Sequence, residues 1–397
     1  MGGSSPPESG GPGPARILAV AGEVSGDHQG GGLIAALRGL RPDLTVLGVG
    51  GPAMARAGAD VLIDSTRWGV IGYVEAYVRL PVFAARFWRL VRLIERVRPD
   101  VLLLIDFPGV NRELVRTFSG RLPIVYFVPP QTYGRRSHSA ARMARAAVRL
   151  LAVLPFEADA YRNAGADVEY VGHPAVDAPD GTASRDALRA EWDAGNGTLL
   201  GLLPGSRTQE VRTLLPPMLA AARALAADRR LRCVLPLASA HLGPVVESVT
   251  ARCGVPVRIV EGRALDVMAA SDAIVVASGT APVQAACIGV PMVVVYRISP
   301  LTEWIARRFV LTPDAGRHGW SVPNIVLARA AVPELVQGAV TGPRIQDEVR
   351  RLLDGGGAAL REDLREVRRR LGPPGVMMRA AEEVLRALDR RAGRAIR

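Results

Sequence analysis

The chain has 397 residues, 49% of them apolar, which is enough for two domains with real cores, and no apolar run reaches the length of a membrane span. The formal charge is +12 with no lysine anywhere, so all 50 basic residues are arginines. So uniform a bias blunts any argument from arginine counts: nucleic acid, an anionic membrane surface and phosphorylated substrates stand open beside a merely solvated surface. Three cysteines without a C-x-x-C pair read as buried free thiols, and five histidines without metal spacing give no metal site.

In chain order, residues 1–14 (MGGSSPPESGGPGP) lack a basic start and an apolar stretch, and read as a disordered tail rather than a signal peptide. Short runs of buried-strand character then alternate with helical stretches: RILAVAG at 16, TVLGVGG at 45, VLLLIDFPG at 101, PIVYFVPP at 123 and RLLAVLPF at 149. Residues 179–197 are polar and read as a linker with one short helix, which leaves 15–178 as a first domain. The rhythm restarts at 198 with TLLGLLPGSR, LRCVLPLA, VPVRIVEG, AIVVASG and PMVVVYR, a second domain over 198–365, and 366–397 is helical and charged. The predicted fold class is α/β, two doubly wound parallel-sheet domains in tandem. Ligands of such sheets sit beyond the carboxyl ends of the strands, so the chemistry belongs in the turns that follow them.

Four turns carry it. VAGEVSGDHQGGGL has glycines at Gly22, Gly26 and Gly30 but not the dinucleotide spacing; it predicts a loop of close backbone approach with Glu23, Ser25 and Asp27 as polar groups. Asp106 ends a strand, where a carboxylate either takes a proton from a bound hydroxyl or merely caps a turn, with Asn111 as polar neighbour. In LLPGSRTQEV, Ser206 and Gln209 have capping-box spacing, and Gly205, Ser206 and Arg207 offer a helix start and a full charge to a phosphate; an ordinary cap is the other reading. In ASGTAPVQ, Ser278, Gly279 and Thr280 make a second helix start, and two in one domain suit a diphosphate.

Residues 68–100 stand apart: Phe83, Phe87, Leu90, Val91, Ile94 and Val97 share one helical face, and Arg86, Arg89, Arg92 and Arg96 another. An interfacial membrane helix, with Trp88 among its contacts, and a helix packed on its own sheet both fit that pattern.

The motifs AGEVSGD, GVGGPAM, GVIGYVEA, IDFPGVN, LPFEADAY, VGHP, LLPGSRTQEV, SDAIVVASGTA, PMVVVYR and SVPN come in one order, and through them the chain resembles the lipid-A-disaccharide synthases, inverting glycosyltransferases of the two-domain GT-B type. The resemblance implies transfer of 2,3-diacylglucosamine from UDP-2,3-diacylglucosamine to 2,3-diacylglucosamine 1-phosphate (lipid X), without a cofactor, by a cytoplasmic protein peripherally bound to the inner membrane and able to form a homodimer. It implies Asp106 as base, Arg207 on the diphosphate, Asn324 of the S-x-P-N motif and Gln284 at the nucleotide, an acceptor-binding first domain, and C-terminal helices crossing back to it. It tips Phe83, Arg86, Phe87, Trp88 and Arg89 towards membrane contact. Two positions depart from the family pattern: Gln284 stands where a glutamate is usual, and Tyr133 and Gly134 lie where a tryptophan-rich stretch is usual. A UDP-sugar 2-epimerase-like enzyme and a non-catalytic UDP-lipid-binding homologue are the alternatives; nucleic-acid binding has only the charge behind it.

Overall fold

Val, Ile and Leu dominate the strand runs, and side chains branched at Cβ or covered on both faces favour parallel strands. In the computed structural model of the chain these runs build two sheets, each with every strand parallel to its neighbours. The structure describes residues 15–66, 68, 80–130, 137–146, 148–178, 183–298 and 318–395; the tail 1–14 and the Tyr133–Gly134 region lie outside these. Two compact units form, Met1–Val171 with Gly375–Arg397, and Gly172–Pro374.

The first unit runs β1 (Arg16–Val20), α1 (Val24–Leu40), β2 (Thr45–Gly50), α2 (Pro52–Arg56), β3 (Asp60–Asp64), α3 (Leu80–Val97), β4 (Val101–Ile105), α4 (Pro108–Phe118), β5 (Ile124–Phe127), α5 (Ser137–Ala144), β6 (Val148–Ala152), α6 (Pro155–Asn163) and β7 (Val168–Tyr170). Its sheet order is β3-β2-β1-β4-β5-β6-β7. The second runs α7 (Arg185–Glu191), β8 (Thr198–Leu203), α8 (Thr208–Leu225), β9 (Leu231–Leu237), α9 (Gly243–Thr250), β10 (Val257–Glu261), α10 (Ala264–Ala270), β11 (Ala273–Ala277), α11 (Ala281–Ile288), β12 (Met292–Tyr296), α12 (Val322–Leu327), β13 (Glu334–Val336), α13 (Gly342–Arg351) and α14 (Gly357–Arg370), with order β10-β9-β8-β11-β12-β13. The last helix, α15 (Val376–Ala395), belongs to the first unit. There Arg391 donates to the carbonyls of Pro99 and Asp100, each at 2.8 Å, and Glu383 accepts from Arg149 at 2.8 Å.

Two expectations change. The segment read as a linker is part of the second unit: α7 lies inside it, Trp192 is buried, and Arg189 donates to Gly195 (3.0 Å), Gly197 (2.6 Å) and Ala270 (3.2 Å) carbonyls and to the Asp272 carboxylate (3.0 Å). The face of α3 assigned to a membrane mostly faces its own sheet. Leu90, Val91 and Ile94 are buried in the first unit's core, and Phe83, Phe87 and Val97 pack against it. Arg86 also turns inward, its guanidinium 5.2 Å from the Trp68 ring centre. Among the described residues of α3, the exposed large apolar side chains are Val82 and Trp88, flanked by exposed Arg89 and Arg92. No helix among the described residues is long and apolar enough to cross a membrane. Cys233 and Cys287 are buried free thiols, whereas Cys253 is only half-buried.

Candidate active site

In each sheet the strand order turns back on itself, next to β1 and β4 in the first unit and next to β8 and β11 in the second. In doubly wound sheets, ligands bind outside the strand ends at that reversal. The four turns singled out in the sequence follow these four strands, so the candidate groups gather in one place per unit.

In the first unit Val20 pairs with Leu104, and the turns after β1 and β4 leave the sheet side by side. Asp106 and Phe107 take φ values of +48° and +53°, and Val128, just past β5, takes +56°. Left-handed backbone is uncommon outside glycine and a genuine outlier for a β-branched residue. Each such residue costs on the order of 1–3 kcal/mol, and strain of this kind clusters where function requires it. Hydrogen bonds hold the strained turn in place. The Asp106 N–H donates to the Phe127 carbonyl at 2.9 Å, and the Asp106 carbonyl accepts from the Tyr126 hydroxyl at 2.9 Å and Asn111 Nδ2 at 2.8 Å. Asn111 Nδ2 also lies 3.3 Å from the Ile105 carbonyl and 3.5 Å from that of Val20, tying β4 to β1. Gly22 shows why the first turn needs a glycine: a Cβ there would sit 2.0 Å from the Phe107 ring. The two turns thus touch, with the half-buried Asp106 beside them and Glu23 and Ser25 half-buried around the start of α1.

Asp27 does something other than expected. It is buried, and its carboxylate accepts from the N–H groups of Gly51 (2.7 Å), Ala53 (2.9 Å) and Met54 (3.0 Å). It caps α2 from another helix, satisfying the N–H groups that a helix start leaves over, and so is a structural group rather than a ligand-facing one.

Glu157, in the first turn of α6, was not singled out. It is 2% exposed, its Oε1 has no hydrogen-bond partner, and burial together with the Asp106 charge pushes its carboxyl up to about 8. Asn111 Oδ1 and Arg112 Nε, on the adjoining α4, are likewise buried without a partner. Such atoms are rare in folded proteins and cost about 1–3 kcal/mol each, so their grouping around the Asp106 turn marks it further. An acidic residue early in a helix reads from sequence as ordinary dipole compensation, and only its burial distinguishes Glu157.

In the second unit Leu203 pairs with Val276, which places the Gly205–Arg207 and Ser278–Thr280 turns side by side. The capping box is shifted by one residue from the expected Ser206–Gln209 pair. Here α8 starts at Thr208, and the Glu210 carboxylate accepts from the N–H groups of Ser206 (3.0 Å) and Arg207 (3.2 Å). Glu210 also pairs with the Arg207 guanidinium at 3.2 Å. Gly205, at φ +111°, must be glycine twice over, since a Cβ would also lie 2.2 Å from Glu210 Oε2. An anion at this turn meets a half-exposed Arg207 whose neighbouring N–H groups are already used. The other turn is more open. Gly279 and Thr280 are exposed, Thr280 makes no side-chain cap, and among the described residues the N–H groups of Gly279, Thr280 and Ala281 have no partner. These donors, at a helix start followed by Pro282, suit an anion. Gln284 is half-buried in the first turn of the same helix.

Asn324 is also corrected. It is 1% exposed, and its Nδ2 donates to the Val332 carbonyl (2.9 Å) and Glu334 (2.6 Å) while its Oδ1 accepts from Ala331 (2.9 Å) and Val332 (2.8 Å) N–H groups. Its amide is saturated by the loop before β13. Glu334 in turn accepts from the N–H groups of Trp320 (2.6 Å) and Ser321 (2.9 Å), so Asn324 shapes the start of α12 rather than reaching a nucleotide directly.

The family model for lipid-A-disaccharide synthetase matches residues 17–378. A lipid-A-disaccharide synthase of Myxococcus xanthus is 42% identical over 390 residues, covering 94% of this chain and 98% of that protein. One from Geobacter sulfurreducens is 36% identical, covering 94% and 98%. The chain belongs to the lipid-A-disaccharide synthase family. It is therefore a glycosyltransferase enzyme, and its two sheets form the GT-B fold. Among solved structures, a UDP-GlcNAc 2-epimerase from Neisseria meningitidis bound to UDP-GlcNAc aligns with TM-score 0.64 at 12% identity, covering 94% of this chain and 100% of that one. The glycotransferase of kitacinnamycin aligns with TM-score 0.63 at 19% identity, covering 95% and 100%. At such identities these two show the shared fold alone. Within the lipid-A-disaccharide synthase family, the strained Asp106 turn and the open Gly279–Ala281 helix start are the places where this chain's own geometry is most committed.

Proposed function

We propose that the chain transfers 2,3-diacylglucosamine from UDP-2,3-diacylglucosamine to the 6-hydroxyl of 2,3-diacylglucosamine 1-phosphate (lipid X), forming a β-1,6 disaccharide 1-phosphate and releasing UDP. The observation that carries this reading is the strained Asp106 turn at the strand reversal, in a chain 42% identical to a lipid-A-disaccharide synthase across nearly its whole length. Asp106 accepts the proton of the attacking hydroxyl as the new C1–O bond forms. The C1–O bond to the diphosphate breaks with its electron pair on UDP. The Arg207 guanidinium and the N–H groups of Gly279, Thr280 and Ala281 stabilise that developing charge. Acyl substrates bring the enzyme to the cytoplasmic face of the inner membrane, where the exposed Val82, Trp88, Arg89 and Arg92 of α3 are available for contact.

The test is UDP release from UDP-diacylglucosamine in detergent, with and without lipid X. Release only when lipid X is present supports the proposal; turnover without lipid X, or none with it, overturns it. Gln284 allows a second check. Glutamine keeps an acceptor oxygen but lacks the charge that strengthens hydrogen bonds to a ribose. Gln284→Glu is expected to tighten UDP binding about fivefold by calorimetric titration. Unchanged affinity would show that this side chain does not touch the ribose.

A further inference from the structure

We propose that Glu157 is a positioning residue of the Asp106 site, the second carboxyl of a pair that carries one negative charge between its two members. The inference rests on Asp106 being the base. Strands β4, β5 and β6 end at one level, because Phe127 pairs with both Ile105 and Leu151. Asp106 follows the first of them directly, and Glu157 follows the third in the opening turn of α6. Glu157 is 2% exposed and its Oε1 has no hydrogen-bond partner. One turn further on, Tyr161 donates its hydroxyl to the Pro130 carbonyl, so α6 is pinned to the segment after β5 and holds Glu157 against the site. Among the described residues, the other polar and ionisable groups at this place are Tyr126 of β5, Tyr161 of α6, and Asn111 and Arg112 of α4. Burial pushes the Tyr126 hydroxyl well above its ordinary range, so it remains a donor to the Asp106 carbonyl.

A buried carboxyl without a partner does not ionise beside a carboxylate; one of two close acids keeps its proton. Burial first, and the Asp106 charge second, hold Glu157 protonated up to about pH 8. In the proposed pair the charge sits on Asp106, the half-buried member at the strand end. When it takes the acceptor's hydroxyl proton, the pair passes from one bound proton to two, and loss of either proton to solvent restores the starting state. Protonated Glu157 thus leaves Asp106 as the charged member over the working pH range. Above its own titration, a second negative charge beside the base changes the rate.

The experiment follows kcat/KM for UDP release between pH 6 and 9.5 in wild type and Glu157→Gln. The wild-type profile is expected to break near pH 8, and the variant to lack that break. A break that persists in Glu157→Gln, or is absent from wild type, overturns the proposal. A second measurement needs no Glu157 variant. Carbon-13 carboxyl resonances of glutamate-labelled protein are titrated in wild type and in Asp106→Asn. A glutamate titrating near pH 8 is expected in wild type, moving down by about one unit when the Asp106 charge is removed. An unmoved resonance overturns the pairing. The outcomes separate cleanly: wild-type turnover by Asp106→Asn defeats the assignment of the base itself, whereas an inactive Asp106→Asn with an unmoved glutamate defeats only the pairing.

Discussion

Replacing Asp106 with asparagine is expected to lower kcat by about 10²–10⁴-fold while leaving UDP affinity nearly unchanged. Asparagine is the informative substitution because of the backbone. Asp106 sits at φ +48°, and among side-chain-bearing residues asparagine and aspartate are the ones that enter this region most readily. The variant therefore keeps the turn, the 2.9 Å bond to the Phe127 carbonyl and the two bonds to its own carbonyl, and loses the negative charge together with the capacity to take a proton. Asp106→Ala would mix lost chemistry with a less favourable backbone. On the proposed reading the base belongs to the first unit and the diphosphate groups to the second. Loss of the base should therefore appear in kcat. Single-turnover UDP release beside calorimetric UDP binding measures both; a variant that binds UDP tenfold more weakly but turns over normally would reverse the roles given to the two turns.

The central strands were legible because they are unbroken apolar runs, and every residue of β4 is fully buried. The edge strands β3, β7 and β13 were not: DVLID, VEY and ELV carry acidic residues on exposed or half-exposed positions and show no buried run. The four site turns were legible for the same reason as the central strands. A Gly or Asp that ends a buried run must lie where the strand leaves the sheet, and in this fold class the carboxyl ends of the strands hold the ligand. What each polar side chain does once there was less legible. Asp27 and Asn324 both follow glycine- or serine-rich turns in the way a binding group would. Their partners, Gly51–Met54 in one case and Ala331–Glu334 in the other, depend on how distant or neighbouring segments pack. The start of α8 moved by one residue because Glu210 competes with Ser206 as its capping group, a local contest that spacing does not decide. On α3 the apolar face was read correctly as a face, but the same stripe serves a membrane or a sheet equally well, and here it covers the sheet.

Glu157→Gln is expected to make the folded protein less sensitive to alkaline pH, an effect on stability separate from any on rate. The carboxyl titrates near 4.5 when the chain is unfolded and is pushed up to about 8 when folded, chiefly by burial and secondarily by Asp106. Because the folded state holds this proton more tightly, its contribution to stability is fully present below pH 4.5 and is lost progressively as pH rises to about 8. Over that window wild type should lose about 1.4 kcal/mol per pH unit from this group, approaching a ceiling of about 5 kcal/mol. Glutamine has no proton to lose, so the difference between variant and wild type should grow in the variant's favour by that slope. Burying an amide in place of a carboxylic acid shifts the variant's whole curve by a constant and leaves the slope alone. Urea unfolding at pH 5.5, 6.5 and 7.5 reads the slope directly. Parallel curves for the two proteins would mean that Glu157 ionises freely in the folded state, and the buried carboxyl would then have no part in holding the charge of the Asp106 site.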